Sequence, residues 1–234
     1  MRSALALVLV VVLAALMMAG VSQLPPPGEA DQAVHRHVAA NYLADGVEEG
    51  GTGNRVTAVL LDYRALDTYG EVVVIFAALI AVLLVRSAGG PRTQPPPRRV
   101  PVSPVVDQVI RLMTPFIALF ALFMIIEGHV LPGGGFQGGV VLGALMILLS
   151  LALGPDRLRG ALHTGALFWL RAVAPLAFTV SALAGLGLVG WWFALPEPGW
   201  MREFALVLLE LAIGFGGAAA LTGFFLSLEE DIHR

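Results

Sequence analysis

The sequence predicts an all-α integral membrane protein with about six transmembrane helices. Three observations carry this reading. Hydrophobic residues fill 57% of the 234 positions and charged residues only 13%, about half the ~25% charged share of a soluble domain. The apolar residues are gathered into six runs long enough, or nearly long enough, to cross a bilayer core that needs about 20 helical residues. All 14 basic residues are arginine, and most of them fall on alternate loops between those runs.

The first span is the unbroken apolar run Ala4 to Gly20. Arg2 and the small residues near Ala19 give it some features of a signal peptide. Met17 makes a poor cleavage context, so a retained helix is expected. The second, Val72 to Val85, must extend in both directions, because its 14 residues cover only about 21 Å at ~1.5 Å per residue. The third is Leu112 to Ile126 and the fourth Phe136 to Leu153. The fifth runs from about Leu167 to Trp192 and carries Arg171 and Pro175. The sixth, Phe204 to Leu228, carries Glu210.

Arginine placement sets the expected orientation. Arg86, Arg92, Arg98, Arg99 and Arg111 stand between spans two and three against one acid, Asp107, and Arg157 and Arg159 stand in the turn before His163. The loop from Ser22 to Gly70 holds Arg36, Arg55 and Arg64 against seven acids. The positive-inside rule assigns the arginine-rich segments to the cytoplasm, and six crossings then leave both termini inside.

The proline-rich stretch 89–104, GGPRTQPPPRRVPVSP, forbids helix and favours an extended, semi-rigid chain. It divides a two-helix module, 1–88, from a four-helix module, 105–234. In the outer loop of the first module, Ala30 to Leu43 has the composition of a short surface helix. The apolar run Arg55 to Leu61 is too short to span, so it is interfacial, re-entrant or packed on a partner.

The absence of lysine excludes a Schiff base and a P-loop. The absence of cysteine excludes disulfides, thiol catalysis, iron–sulfur ligation and cysteine zinc sites. A lone His129 cannot make a metal site. Three segments remain that can carry chemistry. In the first, Asp62 to Glu71, Thr68 and Glu71 have capping-box spacing, Asp67 complements the helix dipole, and Arg64 can pair with Asp67 or Asp62. That bland reading stands beside another, in which Glu71 reaches the membrane boundary, where carboxylates mark ion or proton routes. The second is Glu127-Gly-His-Val-Leu-Pro-Gly-Gly-Gly-Phe-Gln-Gly-Gly139, with six glycines in thirteen residues. Either Gly138, Gly139 and Gly143 serve tight helix packing, or Glu127 and the titratable His129 border an ion path. The third is Glu210, a functional candidate by its depth or a protonated or partner-bonded structural residue. The glycines and alanines after it offer a smooth helix face.

The glycine-rich segment resembles the GH-x-x-PGGGF-x-GG signature of the MnhB family. That family is the B-type component of Mrp-type multisubunit sodium/proton antiporters, and it recurs in membrane-bound hydrogenases of the complex I superfamily. The last helix, Leu208-Leu-Glu-Leu-Ala-Ile-Gly214, has Glu where that family more usually has Asp. The segment Asn54-Arg-Val-Thr-Ala-Val-Leu-Leu-Asp-Tyr-Arg-Ala-Leu-Asp-Thr-Tyr-Gly-Glu71 is similar to the C-terminal end of the A-type Mrp component and to the E-type component of those hydrogenases, with Tyr63 for Phe and Arg55 for Val. The candidate ion or proton path is Glu71, Glu127, His129, Glu210 and Asp67. Carried over as motif residues are Asp62, Arg64, Thr68, Gly70, Pro132, Gly133, Gly134, Gly135, Phe136, Gly138 and Gly139.

The resemblance implies an accessory component of a Mrp-type sodium (cation)/proton antiporter. It would be non-enzymatic and without cofactors, in the cell membrane of a prokaryote, helping to form or brace the cation path. Its partners would be the A-, C-, D-, E-, F- and G-type components, the lipid bilayer and the transported Na+ and H+, with no nucleic acid. Two alternatives stay open. One is a place in the membrane arm of a hydrogenase or related respiratory complex. The other is a structural adaptor whose glycine loops serve packing alone.

Overall fold

A computed structural model describes residues 2–24, 28, 32–46, 49, 51–88, 103–154, 160, 164–197 and 199–233. Most of the proline-rich stretch, together with Arg157, Arg159 and His163, lies outside the described residues. The chain forms two compact units, Met1–Ala44 and Asp45–Arg234. This division falls elsewhere than the proline-rich stretch, because the helix that follows residue 64 packs with the C-terminal helices.

The first unit holds α1 (Arg2–Val21), α2 (Ala33–Arg36) and α3 (Val38–Ala44). α1 is one apolar helix, and near its end the Ser22 and Gln23 side chains both donate to the Ala19 carbonyl. α2 and α3 form within the stretch expected to make a surface helix.

The second unit opens on α4 (Arg55–Ala58), which runs into a π-helical turn at Val59–Tyr63. The Asn54 side chain caps α4 by accepting from Val56 N–H at 3.0 Å, the role that suits Asn at this position. Then come α5 (Ala65–Ala88), α6 (Pro104–Ile126), α7 (Gly135–Leu153), α8 (Thr164–Leu188) and α9 (Gly199–His233). Among the described residues six helices, α1 included, are long and apolar enough to cross a membrane. The short second run does extend in both directions, to 24 residues. Among the described residues there is no strand.

α9 is the centre of the unit and touches α5, α6, α7 and α8. In its apolar stretch 56% of the residues are buried, against 17–28% for the helices around it, so it is the helix that the rest of the unit encloses. Small residues make this possible. Gly135, Gly139 and Gly143, spaced four apart, bring one stripe of α7 onto α9 against Ile213, Gly214 and Leu221, while Gly138 meets Ala121 and Ile125 of α6. With little hydrophobic drive between helices in lipid, such close approach is the main source of packing attraction.

Tyr69, Phe178 and Phe193 form an aromatic trio with centroids 5.7–6.4 Å apart. They tie α5 and α8 to the α8–α9 connection. At the opposite end of α9, the Arg171 guanidinium donates to the Ala219 carbonyl at 3.2 Å and lies against Gly223.

The capping-box reading of Thr68 and Glu71 is corrected. α5 already begins at Ala65, and Thr68 lies inside it, completely buried. Its hydroxyl donates to the Leu60 carbonyl at 2.6 Å. The π-turn is wider than an α-turn, and the threonine hydroxyl supplies a donor to a carbonyl in it. The Arg64–Asp67 pair does form, with Nε 2.6 Å from Oδ2.

Candidate functional site

The site lies where the segment 52–63, the α6–α7 loop and α9 meet. Its base is Glu210, which is 4% exposed although it sits eleven residues into α9. One carboxylate oxygen, Oε2, accepts the Gly135 N–H, and Oε1 stands 3.1 Å from the Thr57 hydroxyl.

Local sequence explains each partner. Gly133 and Gly134 take φ of 156° and 132°, backbone that a side chain would strain. This lets the chain leave α6, turn, and start α7 with no side-chain cap. The first N–H groups of a helix have no partner of their own and carry a partial positive charge. Gly135 N–H is one of these groups, and the carboxylate reaching it comes from another helix. The irregular backbone is thereby covered by protein, the condition under which it is tolerated at membrane depth.

The loop is clamped from the other side by three side chains of segment 52–57. Asn54 Nδ2 donates to the Gly128 carbonyl at 2.7 Å and the Leu131 carbonyl at 2.9 Å. Thr52 donates to the His129 carbonyl, and Asn54 N–H reaches the same oxygen at 3.1 Å. Thr57 Oγ1 lies 2.7 Å from the Gly128 carbonyl. Thr52, Asn54 and Thr57 are all buried. A hydroxyl has one proton to donate, so Thr57 donates either to Gly128 or to an ionised Glu210. A proton on Glu210 reverses the second bond. Thr57 is therefore coupled to the charge of Glu210. A small cleft lined by Val56, Thr57, Leu60, Gly134, Gln137 and Glu210 opens beside the carboxylate.

Above this lies a charged rim. His129 Nε2 is 3.4 Å from Glu203 Oε1, and its Nδ1 is 3.0 Å from the Ile126 carbonyl. Arg202 reaches the Glu49 carbonyl, Glu197 at 3.2 Å and Asp62 at 3.9 Å. It thus joins three loops at one end of the unit. Burial pushes the Asp62 carboxyl above its ordinary range, against the lowering effect of Arg202 and with a further rise from Glu49. The hydrogen bond from Tyr63 to Glu49 pushes the phenol up to about 12.

The structure thus brings His129 and Glu210 to one site and sets the others apart. Asp67 is taken up by Arg64 on the exposed start of α5. Glu71 is exposed two helical turns inside α5. Glu127 ends α6, and its carbonyl accepts from Val130 and Leu131 N–H. Gly70 faces open space, and Pro132 and Phe136 flank the glycine turn. Thr52, Asn54, Thr57, Arg202 and Glu203 were not singled out by sequence reasoning. Of these only Asn54, a capping residue before a short apolar run, carries a readable local signal.

Comparison with known proteins agrees with this layout. The family model described as "Domain related to MnhB subunit of Na+/H+ antiporter" matches residues 105–228. A second, MbhE, which describes the E component of MBH, matches residues 4–96. The chain is 27% identical over 181 residues to a probable K(+)/H(+) antiporter A/B component of Rhizobium meliloti (strain 1021), covering 68% of this chain but only 18% of that much longer one. It is 28% identical over 209 residues to an uncharacterized protein of Methanocaldococcus jannaschii, covering 76% and 79%. With the Na(+)/H(+) antiporter B component of Bacillus subtilis (strain 168) it shares 29% over 83 residues, 36% of this chain and 55% of that one.

Among solved structures, a chain of the archaeal membrane-bound sulfane sulfur reductase superposes with TM-score 0.67 at 26% identity, covering 96% of this chain and 98% of the other. A chain of the Mrp complex from Dietzia sp. DQ12-45-1b shares the fold with TM-score 0.64 at 24% identity, covering 94% of this chain and 26% of that one. With a matched segment of more than half its length carrying the glycine-rich loop and the buried glutamate, the chain belongs to the family of domains related to the MnhB subunit of Na+/H+ antiporters.

Proposed function

We propose that the chain is an accessory component of a multisubunit Mrp-type cation/proton antiporter, in which the Glu210 site lines or braces the ion path. The observation that carries this is the buried carboxylate held by the family's own glycine loop. An ionisable group at this depth is costly, and its bond to a hydroxyl that can switch direction suits a group that gains and loses a proton. The chain has few such groups, so a complete transport route needs partner chains, and no bond-making chemistry is assigned to it. We also propose that the modules 1–88 and 105–234 are separate building units of the family, as the two matched segments suggest.

A second reading, the membrane arm of a respiratory complex, is favoured by the near-complete coverage of the sulfane sulfur reductase chain. Affinity purification from the native membrane separates them. Co-purification of antiporter-type partners alone is expected. Iron–sulfur electron-transfer proteins in stoichiometric amount establish the second reading, and a chain that purifies without partners overturns both.

The proposed orientation puts the Glu210 end of the unit outside and both termini in the cytoplasm of a prokaryotic cell. Its support is that the loops around Asp62, His129 and Glu197 share one end, as an even number of crossings between them requires. The chain has no cysteine, so single introduced thiols report cleanly. In intact cells, V130C is expected to react with a membrane-impermeant maleimide, and S87C only after permeabilisation. The reverse pattern inverts the topology.

A further inference from the structure

We propose that His129 and Glu203 form a proton-loading pair at the outer mouth of a short relay that ends on Glu210. The inference deepens the proposed function and rests on its reading of Glu210.

Geometry fixes the chemistry of the pair. A carbonyl oxygen can only accept, so the Ile126 carbonyl 3.0 Å from Nδ1 places a hydrogen on that nitrogen. In the neutral ring Nε2 is then a bare acceptor. It faces a carboxylate oxygen at 3.4 Å, and two acceptors attract only when one proton lies between them. The pair is therefore built to hold one proton, as imidazolium with carboxylate or as imidazole with carboxylic acid. It also spans the boundary. The Glu203 side chain is 58% exposed and that of His129 11%, while Glu210 is 4% exposed.

Glu203 and Glu210 are seven residues apart on α9. That is two turns on one face, about 10 Å along the axis. The contacts that connect them run from His129 to its neighbour Gly128, whose carbonyl accepts from the Thr57 hydroxyl, and from Thr57 to Glu210. In the inward step, the proton leaves Nε2 on a water carrier and reaches Thr57 Oγ1, while the threonine's own hydrogen passes to Glu210 Oε1, 3.1 Å away. Only N–H and O–H bonds break and form, and the pair is recharged from outside water.

At this end of the unit the charged and titratable groups around the His129 loop are Glu203, Glu210 and Arg202 on α9, Arg55, Asp62 and Tyr63 on segment 55–63, Glu49 before that segment, Glu197 after α8, and Glu127 on the loop itself. Arg202 is turned to Asp62 and Glu197. Among the described residues, Glu203 alone makes an ion-pair contact with the imidazole.

The test uses the assembled complex in proteoliposomes, with the pH of each face varied independently and cation/proton exchange as the readout. A carboxylate favours a proton on the facing nitrogen. E203Q removes the carboxylate that holds the proton on Nε2, so proton supply from the outer face is expected to weaken. The variant should slow exchange about fivefold when the outer face supplies protons at the wild-type midpoint, and leave the inner-face dependence in place. E203D is expected to restore most of the wild-type profile, and H129Q to show the same outer-face defect.

Outer-face profiles unchanged in E203Q and H129Q, with exchange stopped by E210Q, overturn the relay and leave the Glu210 reading standing. Wild-type exchange in E210Q overturns that reading and the relay with it. An equal loss at every pH on both faces assigns Glu203 a structural role and also overturns the proposal. If H129Q does not assemble, the E203Q and E203D pair still decides, because the exposed Glu203 side chain meets the loop only at its tip.

Discussion

Replacing Gly135 by alanine is expected to prevent the chain from accumulating in an assembled complex. A methyl group at this position would lie 2.8 Å from Ile213 Cβ, 2.9 Å from Glu210 Oε2 and against the Glu210 carbonyl oxygen. Two of these neighbours cannot move away cheaply. The carbonyl belongs to the backbone of α9, and the carboxylate is the acceptor of Gly135 N–H itself. Relief requires α7 to shift off α9, and the same stripe carries Gly139, whose added methyl would meet the Gly214 carbonyl oxygen at 2.7 Å. The cost should reach the upper end of the ~1–3 kcal/mol typical of overpacking. It falls on the helix that the other four surround. Gly70 is the control: nothing lies within 4 Å of a methyl group added there, so G70A should leave the isolated chain's stability unchanged or slightly raised. Native-gel immunoblots of membranes and thermal melts in detergent read both variants. G135A present in the complex at wild-type level would falsify the claimed contact.

The sequence carried the spans well and the site only in part, and the reason is physical. A membrane span is a local property. Its length is set by the bilayer, so Phe136 to Leu153 could be read without knowing its neighbours. Glu210 was legible for the same reason, since a carboxylate in an apolar run stands out wherever it pairs. What holds Glu210 is not local. Thr57 is 153 residues away, Gly135 is 75, and the clamp from Asn54 to Gly128 crosses 74. No spacing rule reaches so far. Glu203 stands just before the sixth apolar run with no local pattern around it, and only the fold of the His129 loop gives it a partner. The misread cap at Thr68 has a different origin. Thr-x-x-Glu is a correct pattern for a helix start, but Arg64, Ala65 and Leu66 are already able to continue a turn from the π-helix. The helix therefore begins earlier, and the hydroxyl is drawn to the Leu60 carbonyl instead.

Substitutions at Glu210 separate its two roles, because its shape and its charge serve different partners. In E210Q the amide oxygen still accepts Gly135 N–H, and the amide nitrogen can donate to Thr57. The helix start remains satisfied, and the complex should assemble as in wild type. The variant cannot bind and release a proton, however, and it offers a cation no charge. Cation/proton exchange in vesicles is therefore expected to fall by at least about tenfold, a barrier change of ~1.4 kcal/mol or more. E210A fails differently. It leaves Gly135 N–H buried without an acceptor, a penalty of about 1–3 kcal/mol, and empties the space beside Ile213. Its assembly should drop before any transport can be measured. T57V keeps the volume but removes the switching hydroxyl. It should assemble, with exchange lowered less than in E210Q, since Gly135 still holds the carboxylate. E210Q that transports like wild type, beside E210A that does not assemble, would make Glu210 a helix cap and nothing more. E210A that assembles normally would show that the Gly135 bond is not what holds α7 to α9, since no other acceptor among the described residues reaches that N–H.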